Sequence, residues 1–207
     1  MFRDRLQAAE KLAQQLRAYQ QRDPLVLGIA RGAVPMAERI AQLLGASWDI
    51  LLAKKLAAPG NPEYAVGAVD ETGWVYRSDL CDRLGVSEEH LQHEKDRQMA
   101  IMKQRRTQYE KFRKRVPRKS RTVIVVDDGL ATGATMIAAL HGLKQEGAST
   151  IVCAVPIASA GSLEKVRKVA DKVVCLLQPE EFYAVSQGYE SFEQVEDEKI
   201  LELLQHD

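Results

Sequence analysis

The chain has 207 residues, of which 45% are hydrophobic, and this is enough for one domain with a sizeable core. Its 29 Lys and Arg residues balance 29 Asp and Glu residues, so the net charge excludes a general electrostatic attraction to nucleic acid or to a membrane. No apolar run reaches the roughly 18 residues of a membrane span, no signal peptide is evident, and the three widely spaced cysteines, Cys81, Cys153 and Cys175, are interpreted as reduced thiols of a cytoplasmic protein.

The first elements of the chain are predicted to be a helix, a buried strand and a second helix. Apolar residues recur at three- and four-residue steps over residues 2–19, which is typical of an amphipathic helix that packs on the core or meets a partner subunit. The apolar run 25–29 predicts a strand, and a helix is expected over residues 34–44. The loop between them holds Gly32, which lets the backbone approach a ligand, and Arg31, which offers a forked donor. The loop therefore predicts an anion site, with a tight turn around a solvated arginine as the alternative.

A third strand with two cations at its end is predicted next. Residues 48–53 form the strand, and Lys54 and Lys55 follow it, where they would neutralise a bound anion or remain solvated. A turn-rich loop is expected over residues 57–64, and a hairpin over residues 65–76.

A long polar helix is predicted to begin at Ser87, a typical N-cap residue, and to end near residue 113. The segment 103–121 that overlaps its end is strongly basic and contains one acid, Glu110. This composition favours either a basic arm that steers phosphates or binds nucleic acid, or a solvated helix face. The basic residues of the segment are Lys103, Arg105, Arg106, Lys111, Arg113, Lys114, Arg115, Arg118, Lys119 and Arg121.

Residues 123–135 carry the most specific pattern of the chain. A run of β-branched residues, 123–126, predicts a strand that is covered on both faces. Asp127 and Asp128 follow it, and then a loop of small residues leads into a helix, whose free N–H groups and positive end favour a phosphate. Because ionised carboxylates only accept hydrogen bonds, the two acids suit vicinal hydroxyls such as those of ribose. A phosphoribosyl group is therefore the predicted ligand.

The remaining elements continue the alternation of strand and helix. Strands are predicted over residues 150–155 and 172–177, with a helix between them that Ser162 caps. This alternation predicts an α/β fold with a parallel sheet and helices on both of its faces.

The stretch 123–135 resembles the signature of type I phosphoribosyltransferases, in which four hydrophobic residues and two acids precede a Thr-Gly phosphate loop. A flavodoxin-like or response-regulator strand also ends in acids, but it does not need the Thr-Gly-Ala-Thr loop. The resemblance covers most of residues 22–195. It implies a central, mainly parallel sheet flanked by helices, with a small hood.

The resemblance also implies the domain organisation and the ligands. One domain would span residues 1–207, with its core at about 22–178 and its hood formed by residues 56–78 and 179–207. The substrates would be phosphoribosyl pyrophosphate (PRPP) and a small-molecule acceptor, a nucleobase, and Mg²⁺ would be the cofactor, bound through PRPP with Asp127 and Asp128. A homodimer without membrane association is expected.

Individual roles follow from the resemblance. Asp127 and Asp128 would hold the ribose hydroxyls, the loop after them would cradle the 5′-phosphate, and the loop around Arg31 would bind pyrophosphate through an unusual peptide at Ala30–Arg31 or Arg31–Gly32. The catalytic set is Asp127, Asp128, Arg31 and Lys54. The substrate-binding set is Ala30, Arg31, Gly32, Lys54, Lys55, Asp127, Asp128, Gly129, Leu130, Ala131, Thr132, Gly133, Ala134, Thr135, Phe182 and Tyr183, of which Phe182 or Tyr183 would stack on the base unless the tail is a packed lid.

Two departures leave the acceptor open. Ala131 stands where hypoxanthine-guanine enzymes have an aspartate, which adenine-type members also lack, and Gly188 or Tyr189 stands where the hypoxanthine enzymes have an acid. No general base is therefore evident, and Glu71 and Glu181 are only candidates. The alternative function is a PRPP- or nucleotide-sensing regulator without catalysis, which would contact nucleic acid through segment 103–121.

Overall fold

A computed structural model describes residues 1–205, except for the side chains of residues 62 and 63. The predicted tail segment 179–207 therefore ends in two residues that lie outside the described part of the chain. The elements, in chain order, are α1 (Arg5–Leu16), β1 (Leu25–Ile29), α2 (Val34–Leu44), β2 (Ser47–Leu51), β3 (Ala53–Ala58), β4 (Asn61–Asp70), β5 (Val75–Arg77), α3 (Asp79–Arg83), α4 (Glu88–Tyr109), β6 (Thr122–Val126), α5 (Ala134–Gln145), β7 (Thr150–Ile157), α6 (Ala160–Arg167), β8 (Lys172–Leu177) and α7 (Asp197–Gln205).

The central sheet has five strands in the order β2-β1-β6-β7-β8, and all of its pairings are parallel. The order reverses between β1 and β6, because the chain leaves β1 towards β2 on one side and leaves β6 towards β7 and β8 on the other. In such a sheet the loops after the two central strands separate and leave a crevice at the carboxyl ends of the strands. The fold prediction is confirmed, and the reversal fixes where a ligand can bind.

Both faces of the central sheet are covered by helices. Val26, Ile124 and Val152 belong to one hydrophobic core, which α1, α2 and α7 share, whereas Val125 and Cys153 belong to a second core with α5 and α6. Successive strand residues point to opposite faces, so a strand buried on both faces is apolar at every position. This explains why the predicted strands at residues 25–29 and 123–126 read as uninterrupted apolar runs.

A second sheet is antiparallel, with the strand order β3-β4-β5. It corrects the prediction that Lys54 and Lys55 follow a strand, because both lie inside β3, which begins after the chain leaves the central sheet at Leu52. The loop expected over residues 57–64 is also wrong. A tight turn with Gly60 in the left-handed region, at φ 71°, instead joins β3 directly to β4. The predicted hairpin is confirmed as the pairing of β4 with β5.

Several smaller features differ from the predictions. The cap of α6 is Ser159, whose hydroxyl accepts from the N–H of Ser162 at 3.2 Å, and Ser162 itself donates to the carbonyl of Leu130 at 3.0 Å. The helices α3 and α7 were not predicted. The three cysteines are free, and Cys175 is half-buried. Within residues 1–205, no helix is both long and apolar enough to cross a membrane.

Candidate functional site

A cavity of about 460 Å³ opens at the carboxyl ends of β1 and β6. Residues 29–32, 53–55 and 127–136 line it, and Gln98 and Val185 complete the wall. All of the predicted substrate-binding residues therefore lie on one cavity, apart from two aromatic residues of the tail. The cavity forms where the order of the strands reverses, as the sheet topology requires.

Asp127 and Asp128 lie side by side on the cavity wall in different environments. Both are half-buried, and Oδ1 of Asp127 accepts a hydrogen bond from the N–H of Asp128 at 2.9 Å. Burial and the neighbouring charge of Asp128 raise the pKa of Asp127 well above its usual value. Asp128 is neutralised by Arg5, whose Nε and Nη2 both donate to its Oδ2, at 3.0 and 2.9 Å. The pair thus combines one compensated and one destabilised carboxylate.

Arg5 is a site residue that the sequence analysis missed, because an arginine in the first turn of an amphipathic helix is typically solvated. Its guanidinium lies 3.8 Å from the ring centroid of Phe192, and Nη1 donates to the carbonyl of Glu193. Tyr189 reinforces this arrangement, since its hydroxyl donates to the backbone carbonyl of Asp128 at 2.6 Å. Helix α1 and the tail therefore both hold Asp128 in place.

The two tail aromatics that were predicted to stack on a base do not line the cavity. Tyr183 is 80% exposed, and its hydroxyl donates to Glu181 at 2.6 Å. Phe182 packs partly against the hydrophobic core. The stacking role predicted for Phe182 or Tyr183 therefore has no support in the geometry, and Val185 is the residue of this segment that faces the cavity.

The loop between β6 and α5 has the features of an anion cradle. Gly133 is the N-cap of α5 and lies in the left-handed region at φ 76°, so the N-cap residue itself has no side chain to cap the helix, and the N–H of Ala134 instead donates to the hydroxyl of Thr132 at 3.4 Å. The first-turn N–H groups that follow Ala134 are therefore left for a ligand, and the positive end of the helix favours an anion. The loop is held from behind, because Ser159 donates to the carbonyl of Ala131 at 2.9 Å and Ser162 to that of Leu130.

The loop between β1 and α2 lies directly against the carboxylate pair. The peptide bond between Ala30 and Arg31 is cis, at one of the two positions that the resemblance indicated. Gly32 contacts Asp128 so closely that an added Cβ would overlap the Oδ2 atom of the carboxylate. Only glycine permits this approach.

Three cations converge beside this loop from three separate elements. Lys54 lies on the cavity wall, and burial together with the positive charges of Arg105 and Arg31 lowers the pKa of its ammonium group to about 8. Arg31 donates from Nη1 to Glu196 at 2.9 Å, and Arg105 donates from Nη2 to Asp197 at 3.3 Å. The arrangement suits a multiply charged anion.

The basic segment 103–121 is largely engaged within the fold. Besides the pairs of Arg105, Arg106 binds Glu71 through two hydrogen bonds of 2.8 Å. Burial alone would raise the pKa of Glu71, but Arg106 and further arginines hold it below its usual value. Glu71 is therefore committed to ion pairs away from the cavity. The other arginines of the segment contact an acid or an aromatic ring: Arg113 with Trp48, Arg115 and Arg118 with Glu146, and Arg121 with Asp23.

Comparison with known proteins is consistent with this geometry. A family model described as "Phosphoribosyl transferase domain" matches residues 2–191. Two relatives from Mycobacterium tuberculosis, from strains H37Rv and CDC 1551, are each named "Putative phosphoribosyl transferase" and are 36% identical over 205 residues. These matches cover 99% of this chain and 46% of each relative, so the chain spans about half the length of the curated relatives it matches.

A solved structure with the same fold is that of the protein TT1426 from Thermus thermophilus. It superimposes with a TM-score of 0.82 at 40% sequence identity, and the match covers 99% of this chain and 98% of that chain. The likeness therefore extends over the central sheet, the small sheet and the tail.

Proposed function

Because this chain belongs to the phosphoribosyltransferase family, we propose that it transfers the 5-phosphoribosyl group of PRPP to a nucleobase-type acceptor with release of pyrophosphate. One observation carries the proposal. The carboxylate pair Asp127 and Asp128, the N-terminal end of α5 and the cations around Lys54 all meet at a single cavity. These are the partners that the hydroxyls, the 5′-phosphate and the pyrophosphate of PRPP require.

Each part of the cavity takes one part of PRPP in this proposal. Asp127 and Asp128 accept hydrogen bonds from the ribose hydroxyls, and the loop 129–135 binds the 5′-phosphate through backbone N–H groups. Arg31 and Lys54, with the backbone of the loop after β1, bind the pyrophosphate.

Catalysis in this proposal consists of positioning and charge stabilisation. An acceptor nitrogen forms a bond to C1′ of the ribose, and the bond from C1′ to pyrophosphate breaks, so that pyrophosphate leaves with the electron pair. Arg31 and Lys54 stabilise the charge that develops on the leaving group, and the carboxylates hold the ribose while C1′ becomes oxocarbenium-like. No carboxylate lines the cavity besides Asp127 and Asp128 among residues 1–205, so no proton acceptor for the incoming base is assigned.

The donor set also fits Mg²⁺ that arrives with PRPP. Mg²⁺ in phosphate-transfer sites keeps several waters and binds through one or two carboxylates plus the phosphates of the substrate. Residues 1–205 hold no cluster of three or more His, Cys, Asp or Glu side chains suited to a metal, but Asp127 and Asp128 supply two carboxylates at the cavity. When bound, Mg²⁺ would offset negative charge on the pyrophosphate.

The division of the chain into a core and a hood belongs to the same proposal. Residues 22–178 form the core of one domain, and residues 56–78 together with the described part of the tail, residues 179–205, form a hood that shields the reacting centre from water. The alternative of a nucleic-acid-binding regulator drew on the basic segment 103–121. Since the arginines of that segment are engaged within the fold, the enzyme is the better-supported function.

The function is tested by incubating the purified protein with PRPP, Mg²⁺ and single nucleobases while the release of pyrophosphate is followed. We expect release with at least one class of base, and loss of release in the double variant Asp127→Asn, Asp128→Asn. PRPP binding without release for any base would favour the regulator. Absence of both PRPP binding and release would refute the proposal.

A further inference from the structure

The start of α7 places two carboxylates on the cations of the proposed pyrophosphate site. Glu196 accepts a hydrogen bond from Nη1 of Arg31 at 2.9 Å, and Asp197 lies 3.9 Å from the same nitrogen. Asp197 also accepts from Arg105 and, at 3.4 Å, from the hydroxyl of Tyr109. Glu196 therefore already occupies Nη1 of the forked donor that a pyrophosphate would need.

The two carboxylates differ in how firmly they are held. Asp197 has three cationic or hydroxyl neighbours and fixes the start of α7 to α4. Among residues 1–205, Glu196 has one ion pair, with Arg31, and its side chain is 57% exposed whereas that of Arg31 is 24% exposed. The more exposed Glu196 side chain therefore covers the less exposed Arg31, and it can rotate into solvent without disturbing the core.

A second cavity adjoins the main cavity at Arg31. It has a volume of about 380 Å³ and shares Arg31, Gly32 and Asp128 with the main cavity, while residues 192, 194 and 195 of the tail form its other wall. The segment between Phe192 and α7 has no regular structure. The second cavity thus leaves room for a larger anion beside Arg31. The tail segment that forms its wall is held at its end by the ion pair of Glu196 with Arg31.

We propose that Glu196 is a specificity-determining residue of the pyrophosphate site, because a ligand must displace its carboxylate from Arg31 to bind there. This inference rests on the proposed function. A pyrophosphate group carries several charges and offers bidentate oxygens, so it replaces a single carboxylate with a net gain. A ligand without a pyrophosphate group does not reach Arg31 and leaves the pair intact. Glu196 therefore lowers the affinity for every ligand that uses Arg31 and selects those with the highest charge.

The test is calorimetric titration of wild type and Glu196→Gln with PRPP, with pyrophosphate alone and with ribose 5-phosphate. Removing the competing charge should tighten the binding of PRPP and of pyrophosphate by about two- to fivefold, the range that an exposed ion pair supplies. The affinity for ribose 5-phosphate should not change. The matched control is Glu198→Gln, which removes the same charge two residues later from an exposed side chain at the start of the same helix.

Each outcome separates the inference from the proposed function. Unchanged or weaker pyrophosphate binding in Glu196→Gln, or an equal gain in Glu198→Gln, overturns the role of Glu196 while PRPP binding by the wild type still supports the enzyme. If the wild type binds neither PRPP nor pyrophosphate, the proposed function fails. Thermal denaturation of each variant checks that α7 remains folded.

Discussion

At the scale of single residues, Asp127 is the least compensated charge of the cavity. Its neighbour Asp128 is neutralised by two hydrogen bonds from Arg5, whereas Asp127 is half-buried and lies beside the charge of Asp128. Folding therefore favours the protonated form of Asp127. Because its pKa is raised, the contribution of Asp127 to stability is fully present below the unfolded value of 3.8 and is lost as the pH rises through the folded pKa.

Asp127→Asn should therefore stabilise the unliganded protein at pH 7 while weakening PRPP binding. The amide oxygen keeps the hydrogen bond from the N–H of Asp128, and each kcal/mol of relief raises Tm by about 2–4 °C for a chain of this size. Losing a charged acceptor for a ribose hydroxyl costs about 1.5–3 kcal/mol of binding free energy. Thermal denaturation between pH 7 and pH 4 and calorimetry with PRPP measure both effects, and the difference in Tm should shrink as the pH falls.

Asp128→Asn is the control for this prediction. It also removes a carboxylate from the pair, but it leaves the guanidinium of Arg5 without its partner, so no stabilisation is expected. A Tm for Asp127→Asn below that of the wild type at pH 7 would show that Asp127 is not a destabilised charge.

At the scale of elements, the start of α5 depends on one backbone conformation. Gly133 adopts φ 76° where the loop turns into the helix, and this region disfavours residues with a Cβ by about 1–2 kcal/mol. The space around it is sufficient, since an added Cβ would lie 3.4 Å or more from its neighbours. Substitution there acts through the backbone and therefore through the geometry of the N–H groups.

Gly133→Ala should lower the free energy of unfolding by about 1–2 kcal/mol and weaken the binding of both PRPP and ribose 5-phosphate. Gly161→Ala is the matched control, because Gly161 lies inside α6 with open space around its Cα. That variant should be neutral or gain up to about 1 kcal/mol from helix propensity. Urea denaturation and calorimetry give the two quantities.

The outcome for ribose 5-phosphate decides this point. If Gly133→Ala binds ribose 5-phosphate like the wild type while Gly161→Ala is folded, the loop between β6 and α5 is not the 5′-phosphate cradle.

At the scale of the whole molecule, the sheet joins two loops that lie about a hundred residues apart in the chain. Gly28 pairs with Val126 in adjacent parallel strands, so both strands end at the same edge. The loop after β1 and the loop after β6 then face one cavity. A ligand with anionic groups at both ends spans them, and a shorter ligand reaches one loop.

Arg31→Ala should therefore weaken the binding of PRPP and of pyrophosphate but leave the affinity for ribose 5-phosphate unchanged. The loss of a charged donor is worth about 1.5–3 kcal/mol, less the contribution of the ion pair with Glu196 that the variant also removes. Titration with the three ligands measures the split. Equal losses for PRPP and ribose 5-phosphate would mean that the two loops do not divide the ligand as proposed. The homodimer that the resemblance implied stays a prediction.

The sequence by itself determined the elements whose signals are local. The apolar runs at residues 25–29 and 123–126 predicted the two central strands, and the helix expected over residues 34–44 is α2. The residues of the two anion loops could be predicted for the same reason, because glycines and acids that follow a strand indicate a binding loop within a few positions of sequence. The family resemblance added the ligand that joins them.

The tertiary structure alone decided which distant side chains meet. Arg5 reaches Asp128 across 123 positions of sequence, and Arg31 reaches Glu196 across 165. Two other aromatic residues of the tail hold the carboxylate pair, since Tyr189 donates to the backbone carbonyl of Asp128 and the ring of Phe192 lies 3.8 Å from the guanidinium of Arg5. Periodicity and turn chemistry report only on neighbours along the chain, whereas these contacts depend on how α1 and α7 pack against the sheet.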